Sequence, residues 1–347
     1  MNPPSTTAAG AKLPLTFACG LYDRMLSLYK GEVQPQGIDL KFLVHDVPRD
    51  IFDRMGGKFG VEFDVSELSS SEYISRYDAK KCPFVALPVF PSRVFRHGFI
   101  TVNRASGIRS PKDLEGKRIG VPLYTMTAAI WMRGLLQHEY GVDLSKIQWV
   151  QGAMKAAGQH GNPNTMPLLK KVPIEINNSG KSLSKLLSDR EIDAVMGSNL
   201  PEGLNTNPDI CRLIPDYREV EQDYYRRTQV FPIMHLIVIR REIYEAHPFV
   251  AQSLYDAFCQ ARDRALELMR VLGALRYMLP WMTDDLDEID EIFGGNPWPY
   301  GIAQNRPTLE ALVSYMAEQG FIRDVIPVEE LFVKVDERAP PGSQGQA

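Results

Sequence analysis

Residues 118–136 read RIGVPLYTMTAAIWMRGLL, and how this stretch folds decides how the rest of the chain is read. Arg118–Val121 is a short apolar run stopped by Pro122, as a buried strand would be. From Thr127 onward apolar residues recur at helical spacing. A strand that turns directly into a helix presents unpaired backbone N–H groups and the positive end of a helix dipole at one spot. Such a spot seats an anion. Thr125 and Thr127 stand at the junction, each a candidate helix cap and a candidate ligand contact.

The same alternation continues on both sides. LPLTFACG (13–20) and GIDLKFLV (37–44) put every second apolar residue on one face, and PFVALPVF (83–90) and GFITV (98–102) are continuously apolar. These patterns predict strands covered on one face and on both faces, respectively. IQWV (147–150), VPIEI (172–176), IDAVMG (192–197) and MHLIVI (234–239) add further strands. Helical spacing recurs from Pro248 through Leu272, in DDLDEIDEIF (284–293) with Thr283 as its cap and Gly294 as its stop, and in TLEALVSYMAEQG (308–320). Strands and helices alternating throughout define an α/β fold.

SPKDLEGKRIGVP (110–122), the strand–turn–helix after it, and SLSKLLSDREIDAVMG (182–197) resemble the second lobe of a type II periplasmic-binding-protein-like fold. The resemblance implies two lobes, a central cleft and two crossover strands, placed at Gly98–Asn103 outward and Phe231–Ile239 on the return. Lobe I then takes 12–103 and 232–337, lobe II takes 104–231, and 1–11 and 338–347 form loose tails.

Composition excludes several classes. Of 347 residues 44% are hydrophobic and 24% charged, with a net charge of −4 and no Lys/Arg block, so nucleic acid is not an expected partner. The apolar runs are proline-broken and too short to span a bilayer, so no membrane partner is expected. The N-terminal stretch lacks a basic segment followed by an apolar one, which predicts a cytoplasmic protein. The four cysteines are scattered, without metal-ligand spacing, and no metal is expected. Phosphate-loop, zinc-protease, nucleophile-elbow and dinucleotide motifs are missing. The sequence does not fix the oligomeric state, and a homo-oligomer is compatible with it.

Candidate site residues cluster near the crossings. VFPSRVFRHGF (89–99) carries Arg93, Arg96 and His97, and FPIMHLIVI (231–239) carries His235. Arginine forks match carboxylates, and imidazoles titrate at about pH 6.5, suiting either proton role. SELSSSEYISRY (66–77) offers Ser71 and Glu72 where a strand gives way to a helix. ACGLYDR (18–24) offers Arg24 after the first strand, and NPWPYGIAQNR (296–306) offers Trp298 and Tyr300 as aromatic walls. His160, in AAGQHGNPN (156–164), reads as peripheral, on a loop suited to a lid.

VFPSRVFRHGFITVN (89–103), LEGKRIGVPLYTMTAAIWMRGLL (114–136), YYRRTQVFPIMHLIVIRREIYEAHPFVAQSLYDAF (224–258) and WPYGIAQNRPTLEALVSYMAEQGF (298–321) together resemble the 4,5-dihydroxyphthalate decarboxylase family. The likeness runs from Leu13 to Phe332, with Gln229 standing where the family pattern has glycine. It implies a small aromatic carboxylate substrate, 4,5-dihydroxyphthalate, that loses carbon dioxide to give protocatechuate without a cofactor. Each ring hydroxyl is para to one carboxylate, so its deprotonation pushes electrons to the carbon that loses the group. The expected roles are an anchor at Thr125 and Thr127 helped by Arg93, Arg96, Arg24 and Ser71, and an acid–base pair of His235 and His97. Glu72 is the reserve acid, and Trp298 and Tyr300 form an apolar face. A solute-binding protein for a small carboxylate, or another lyase on the same scaffold, is the alternative.

Overall fold

A computed structural model describes residues 11–57, 60–163 and 165–337. The tails expected at 1–11 and 338–347 lie, apart from Ala11, outside these described residues. The strands are β1 (Leu13–Cys19), β2 (Ile38–Val44), β3 (Met55–Gly57), β4 (Gly60–Val61), β5 (Val65–Ser69), β6 (Phe84–Arg93), β7 (Ile100–Asn103), β8 (Arg118–Val121), β9 (Gln148–Gln151), β10 (Ile174–Ile176), β11 (Ala194–Met196), β12 (Ile210–Arg212) and β13 (Ile233–Arg240). They form a five-stranded sheet in the order β2-β1-β5-β13-β6, a six-stranded sheet in the order β10-β9-β8-β11-β7-β12, and a β3-β4 pair.

Each large sheet has a parallel centre with antiparallel additions. β1 runs parallel to β2 and β5, whereas β13 is antiparallel to both β5 and β6. β8 runs parallel to β9 and β11, and β7 is antiparallel to β11 and β12. The chain passes from β6 in the first sheet to β7 in the second and returns into β13. Between the sheets the Val94 N–H donates to Pro232 O at 3.1 Å, so the two crossings lie side by side. This is the two-lobe type II periplasmic-binding-protein-like fold.

Residues 100–103, assigned above to lobe I, pair with Ala194–Met196 and Ile210–Arg212 in the six-stranded sheet. The 3₁₀ turn His97–Phe99 before it already completes the crossing, leaving β7 free to join a new sheet. β6 carries Pro88 and Pro91, which cannot donate to a ladder, and it takes the edge position where this costs least. Thr283 lies inside the helix Met282–Phe293, whose cap is Trp281, while Gly294 ends it at φ 61° as expected.

Parallel α/β sheets collect ligands beyond the carboxyl ends of their strands. Here the ends of β1, β5 and β6, the start of β13, and the strand–turn–helix after β8 open onto one cavity.

Candidate active site

The cavity has a volume of about 300 Å³ and is walled by both halves of the chain. Tyr22, Arg49, Phe52, Ser69, Ser92 and His235 come from the five-stranded side, and Met126, Thr127, Ala128, His160, Ser198 and Asn199 from the six-stranded side. Arg96 and Phe99 reach it from the outward crossing.

Two helices point their N-termini at this space. Thr127–His138 starts beyond Met126 with no side-chain cap, so neither threonine caps it. Ser70–Asp78 starts after Ser69, also without a side-chain cap on its own first turn. The Thr127 hydroxyl links the two starts: it accepts the Ser71 N–H at 3.0 Å and lies 3.0 Å from Ser69 Oγ. Ser71 Oγ donates in turn to Thr125 O at 2.9 Å. Two positive helix ends thus converge on one wall, and both favour a negative ligand there.

Arg96 supplies a full charge on the same space. It is buried at 5% exposure, reaches Ser198 O only at 3.5 Å, and its Nε has no hydrogen-bond partner among the described residues. Burial pushes its guanidinium down to about 10, still protonated at neutral pH. A buried cation with unused donors is costly until an anion meets it. Arg49, by contrast, is already paired: Nε to Asp53 at 2.7 Å and Nη1 to Glu72 at 2.5 Å.

The opposite feature is an imidazole braced by a carboxylate. His235 stands opposite Ser69 in the β13–β5 register, and Glu67 is the diagonal neighbour on the same face. Its Nδ1 lies 2.5 Å from Glu67 Oε1. Glu67 is fully buried and also accepts from Tyr22 Oη at 2.8 Å, the Gly20 N–H at 3.2 Å and Cys19 Sγ at 3.4 Å. Burial alone would raise its pKa, yet the bonds from His235, Tyr22 and Gly20 hold it below the ordinary carboxylate value. Burial and Glu67 together push the Tyr22 phenol up, so it stays a donor. An ionised Glu67 can only accept, which makes His235 Nδ1 the donor and leaves Nε2 for a ligand. The ladder between β13 and β6 is irregular on both sides of His235, the kind of local break that re-aims a side chain. Phe52 packs edge-on against the ring at 4.9 Å.

Of the residues singled out from sequence, His235, Arg96 and Thr127 line the cavity. Ser71 stands one hydrogen bond behind Thr127 and Thr125 O one further, on Ser71 Oγ, and Thr125 Oγ1 is buried without a partner among the described residues. Glu72 is the counter-ion behind Arg49 and does not reach the wall. Arg24 is held by Pro91 O and sandwiched between the rings of Tyr22 and Trp298 at 4.3 and 4.4 Å. Arg93 follows Ser92 on a strand, so it points to the other face; it donates to Phe231 O and lies over that ring at 4.8 Å. His97 packs against Tyr224 at 5.3 Å and does not meet His235. Trp298 lines a separate cavity with Phe95 and Phe231, and Tyr300 is buried beneath Arg262. The apolar side of the active cavity is instead Phe52, Val94, Phe99, Met126 and Met234.

Glu67, Arg49 and His160 complete the wall or its bracing and were not singled out from sequence. Glu67 was within reach: strand alternation in VSELS puts it on the face of Ser69, two residues from a helix start. Arg49 and His160 depend on contacts between distant segments, for which the sequence has no local signal.

These features define a class: a two-lobed cleft protein whose cavity brings together two helix N-termini, a buried arginine and a carboxylate-braced imidazole. Comparison with known proteins narrows the class. Over 327 residues the chain is 36% identical to a 4,5-dihydroxyphthalate decarboxylase of Comamonas testosteroni, covering 93% of this chain and 97% of that one. It is 38% identical over 216 residues to the enzyme of the same name from Pseudomonas putida, covering 62% and 82%. The chain belongs to the 4,5-dihydroxyphthalate decarboxylase family. Residues 92–160 also match the family described as NMT1/THI5 like. Among solved structures, the alkanesulfonate-binding protein SsuA of Xanthomonas axonopodis pv. citri overlays 94% of this chain and 99% of its own, with TM-score 0.49 and 13% identity. Among the described residues no helix is long and apolar enough to cross a membrane.

Proposed function

We propose that the protein decarboxylates 4,5-dihydroxyphthalate to protocatechuate, with ring hydroxyls as the electron source. The observation that carries this reading is His235, fixed by the buried Glu67 on the wall of a cavity that also holds Arg96 and two converging helix starts. Family membership supplies the substrate class. The carboxylate that stays docks at the Thr127 wall and Arg96, where uncapped N–H groups and unused guanidinium donors receive it. The carboxylate that leaves faces the apolar side, around Phe52, Met126 and Met234.

This asymmetry matters because only differential binding accelerates a step. Gripping the departing carboxylate in the ground state would raise the barrier. His235 Nε2 delivers a proton to the carbon that loses carbon dioxide, and Glu67 keeps the imidazole in the orientation and tautomer this requires. Tyr22 and the Gly20 N–H hold Glu67 in place.

We read the two sheets as two lobes, with the crossings at 94–99 and 229–232 as their hinge, and the cleft as the entry path. A cytoplasmic setting suits the four cysteines, all free.

The test is direct. Purified protein supplied with 4,5-dihydroxyphthalate releases one carbon dioxide and one protocatechuate per substrate consumed. A ligand-induced rise in melting temperature with neither product would mean that the cleft binds a carboxylate without transforming it.

A further inference from the structure

Two imidazoles line the active cavity, and the reading above uses one. The second is His160. It sits midway along the connection from β9 to β10, in which residues 155–159 are exposed and His160 is the first after them to turn inward. The loop crosses from the six-stranded side and lands on the helix Pro48–Arg54 of the other. Gly161 makes the landing possible: at φ 68° it lies so close that a Cβ there would sit 2.6 Å from Arg49 Cγ and 2.8 Å from Asp53 Oδ2. Next along, the Asn162 N–H donates to Asp53 Oδ2 at 2.8 Å. Asp53 holds Arg49 and Arg49 holds Glu72, so His160 is placed by a chain of ion pairs reaching into the first lobe.

We propose that His160 is the second catalytic residue of the decarboxylation, the base that takes the proton of the ring hydroxyl para to the departing carboxylate. This rests on the decarboxylase reading. The two imidazoles have opposite surroundings. His235 has a buried carboxylate at Nδ1, which balances charge when the ring carries two protons. Around His160 the charged groups are Arg49 and Asp53 from one helix and Glu72 from the next. Burial first and Arg49 second hold its pKa below the ordinary histidine value, against the opposite pull of Asp53 and Glu72. A neutral imidazole is what a base must be at the start.

The step balances without any further reagent. The hydroxyl O–H breaks, His160 gains the proton, and the oxygen lone pair moves into the ring. The C–H bond forms at the para carbon with the proton of His235, giving a non-aromatic dienone. The bond to the carboxylate then breaks, carbon dioxide leaves, and its electron pair restores the ring and the phenolate. The phenolate takes its proton back from His160, and solvent reprotonates His235. One proton is consumed and one carbon dioxide is released.

The test compares His160→Gln and His235→Gln on 4,5-dihydroxyphthalate and on its ring-fluorinated analogue, whose hydroxyls are more acidic. For His160→Gln, kcat on the parent substrate falls about 10²- to 10³-fold, the span of general acid–base catalysis. That loss shrinks at least tenfold on the fluorinated ring, on the scale of about one unit of hydroxyl acidity. In the wild type kcat/KM falls on the acid side as His160 takes up a proton, and that fall disappears in His160→Gln. His235→Gln is impaired on both substrates alike. Imidazole added to His160→Ala restores turnover, which separates lost chemistry from lost folding. A kcat for His160→Gln within threefold of wild type overturns the proposal and leaves the decarboxylase reading intact. An equal loss on both substrates, with an unchanged pH profile and no imidazole rescue, also overturns it. Wild-type protein that releases carbon dioxide from neither substrate overturns the decarboxylase reading, and the role of His160 with it.

Discussion

His235 and His97 are the same residue at the two crossings of one chain, each with a glutamate beside its Nδ1. For His235 the glutamate lies at 2.5 Å, comes from the adjacent strand of its own sheet and is fixed by several donors. For His97 it is Glu221, at 3.6 Å, from the helix Tyr217–Thr228. The His235 side chain keeps 18% exposure onto the cavity, whereas that of His97 keeps 3% and is sealed against Tyr224. The pair of residue types is therefore not the site. Of the two crossings, the return one, β13, sets a braced ring with one edge on empty space, and the outward one does not.

The sharpest way to break this comparison is to remove each ring in turn. His235→Gln lowers kcat by about 10³-fold, within the range for a general acid, while His97→Gln changes it less than about threefold. The second variant shows its effect in the thermal melt, because a buried side chain has been exchanged in a packed contact. Steady-state carbon dioxide release and melting temperature on both proteins suffice. Equal losses of turnover would mean that the hinge, not the cavity, sets the rate.

Removing the brace is the next largest change. Glu67→Gln keeps shape and one acceptor but offers His235 no charge and no guarantee of tautomer, and kcat falls about 10²-fold. The same variant has a stability signature. The folded-state pKa of Glu67 is depressed, so its stabilisation is complete above the ordinary glutamate value of about 4.3 and is lost as pH falls through the lower folded value. The gap in unfolding free energy between wild type and Glu67→Gln, measured in urea, is wide at pH 7 and narrows toward pH 3. A gap that widened on acidification would show that Glu67 is protonated in the folded protein.

The arginines repeat the lesson at smaller scale. Arg96 and Arg93 are three residues apart, both buried at 5% exposure and both with unused donors, yet only Arg96 lines the cavity. Arg96→Met loses a charge-assisted bond of about 1.5–3 kcal/mol and raises KM about 10- to 100-fold. Arg93→Met leaves KM unchanged. Burial pushes the Arg93 guanidinium down to about 9 and one carbonyl bond offsets little of that cost, so an apolar replacement is neutral or stabilising. A KM rise for Arg93→Met would move the anchor to the other face of β6.

Much of the architecture was legible in the chain, because strand and helix periodicities are local. The strand–turn–helix at 118–138 and the return strand with His235 lie where the apolar pattern puts them. Of the residues the sequence offers, those that reach the cavity, His235, Arg96 and Thr127, are each readable from one segment. Arg93 was misplaced because two-residue alternation, not proximity to Arg96, decides the face. Trp298 is aromatic but lines a different cavity, and Tyr300 is buried beneath Arg262. Glu72 has the right chemistry and the wrong partner: Arg49, from a helix about twenty residues upstream, claims it. His160 reads as peripheral in the sequence because nothing local fixes its place, which comes from the landing of Gly161 and Asn162 on Arg49 and Asp53.

The smallest expected effect lies on the return crossing itself, at Gln229, five residues before Met234 on the cavity wall. Gln229 ends the helix Tyr217–Thr228 at φ 57° and ψ 24°, a left-handed conformation that glycine adopts freely. An L-residue there carries about 1–2 kcal/mol of strain. Part of this is returned by its side chain, whose Nε2 donates to Tyr225 O at 3.1 Å. Glycine would relieve the strain, give up that bond, and add about 0.4–1 kcal/mol of freedom to the unfolded chain. The balance for Gln229→Gly is a gain of less than about 1 kcal/mol, or a rise of about 1–2 °C in melting temperature for a chain of this size. Turnover stays at the wild-type level, because Gln229 touches neither cavity wall. A fall in melting temperature would show that the side-chain cap on Tyr225 O outweighs the strain. The return crossing would then be held by that cap rather than merely tolerating it, as the outward crossing is held where the Gly98 N–H donates to Glu221 Oε1 at 3.3 Å and Arg212 Nε donates to Gly98 O at 3.0 Å.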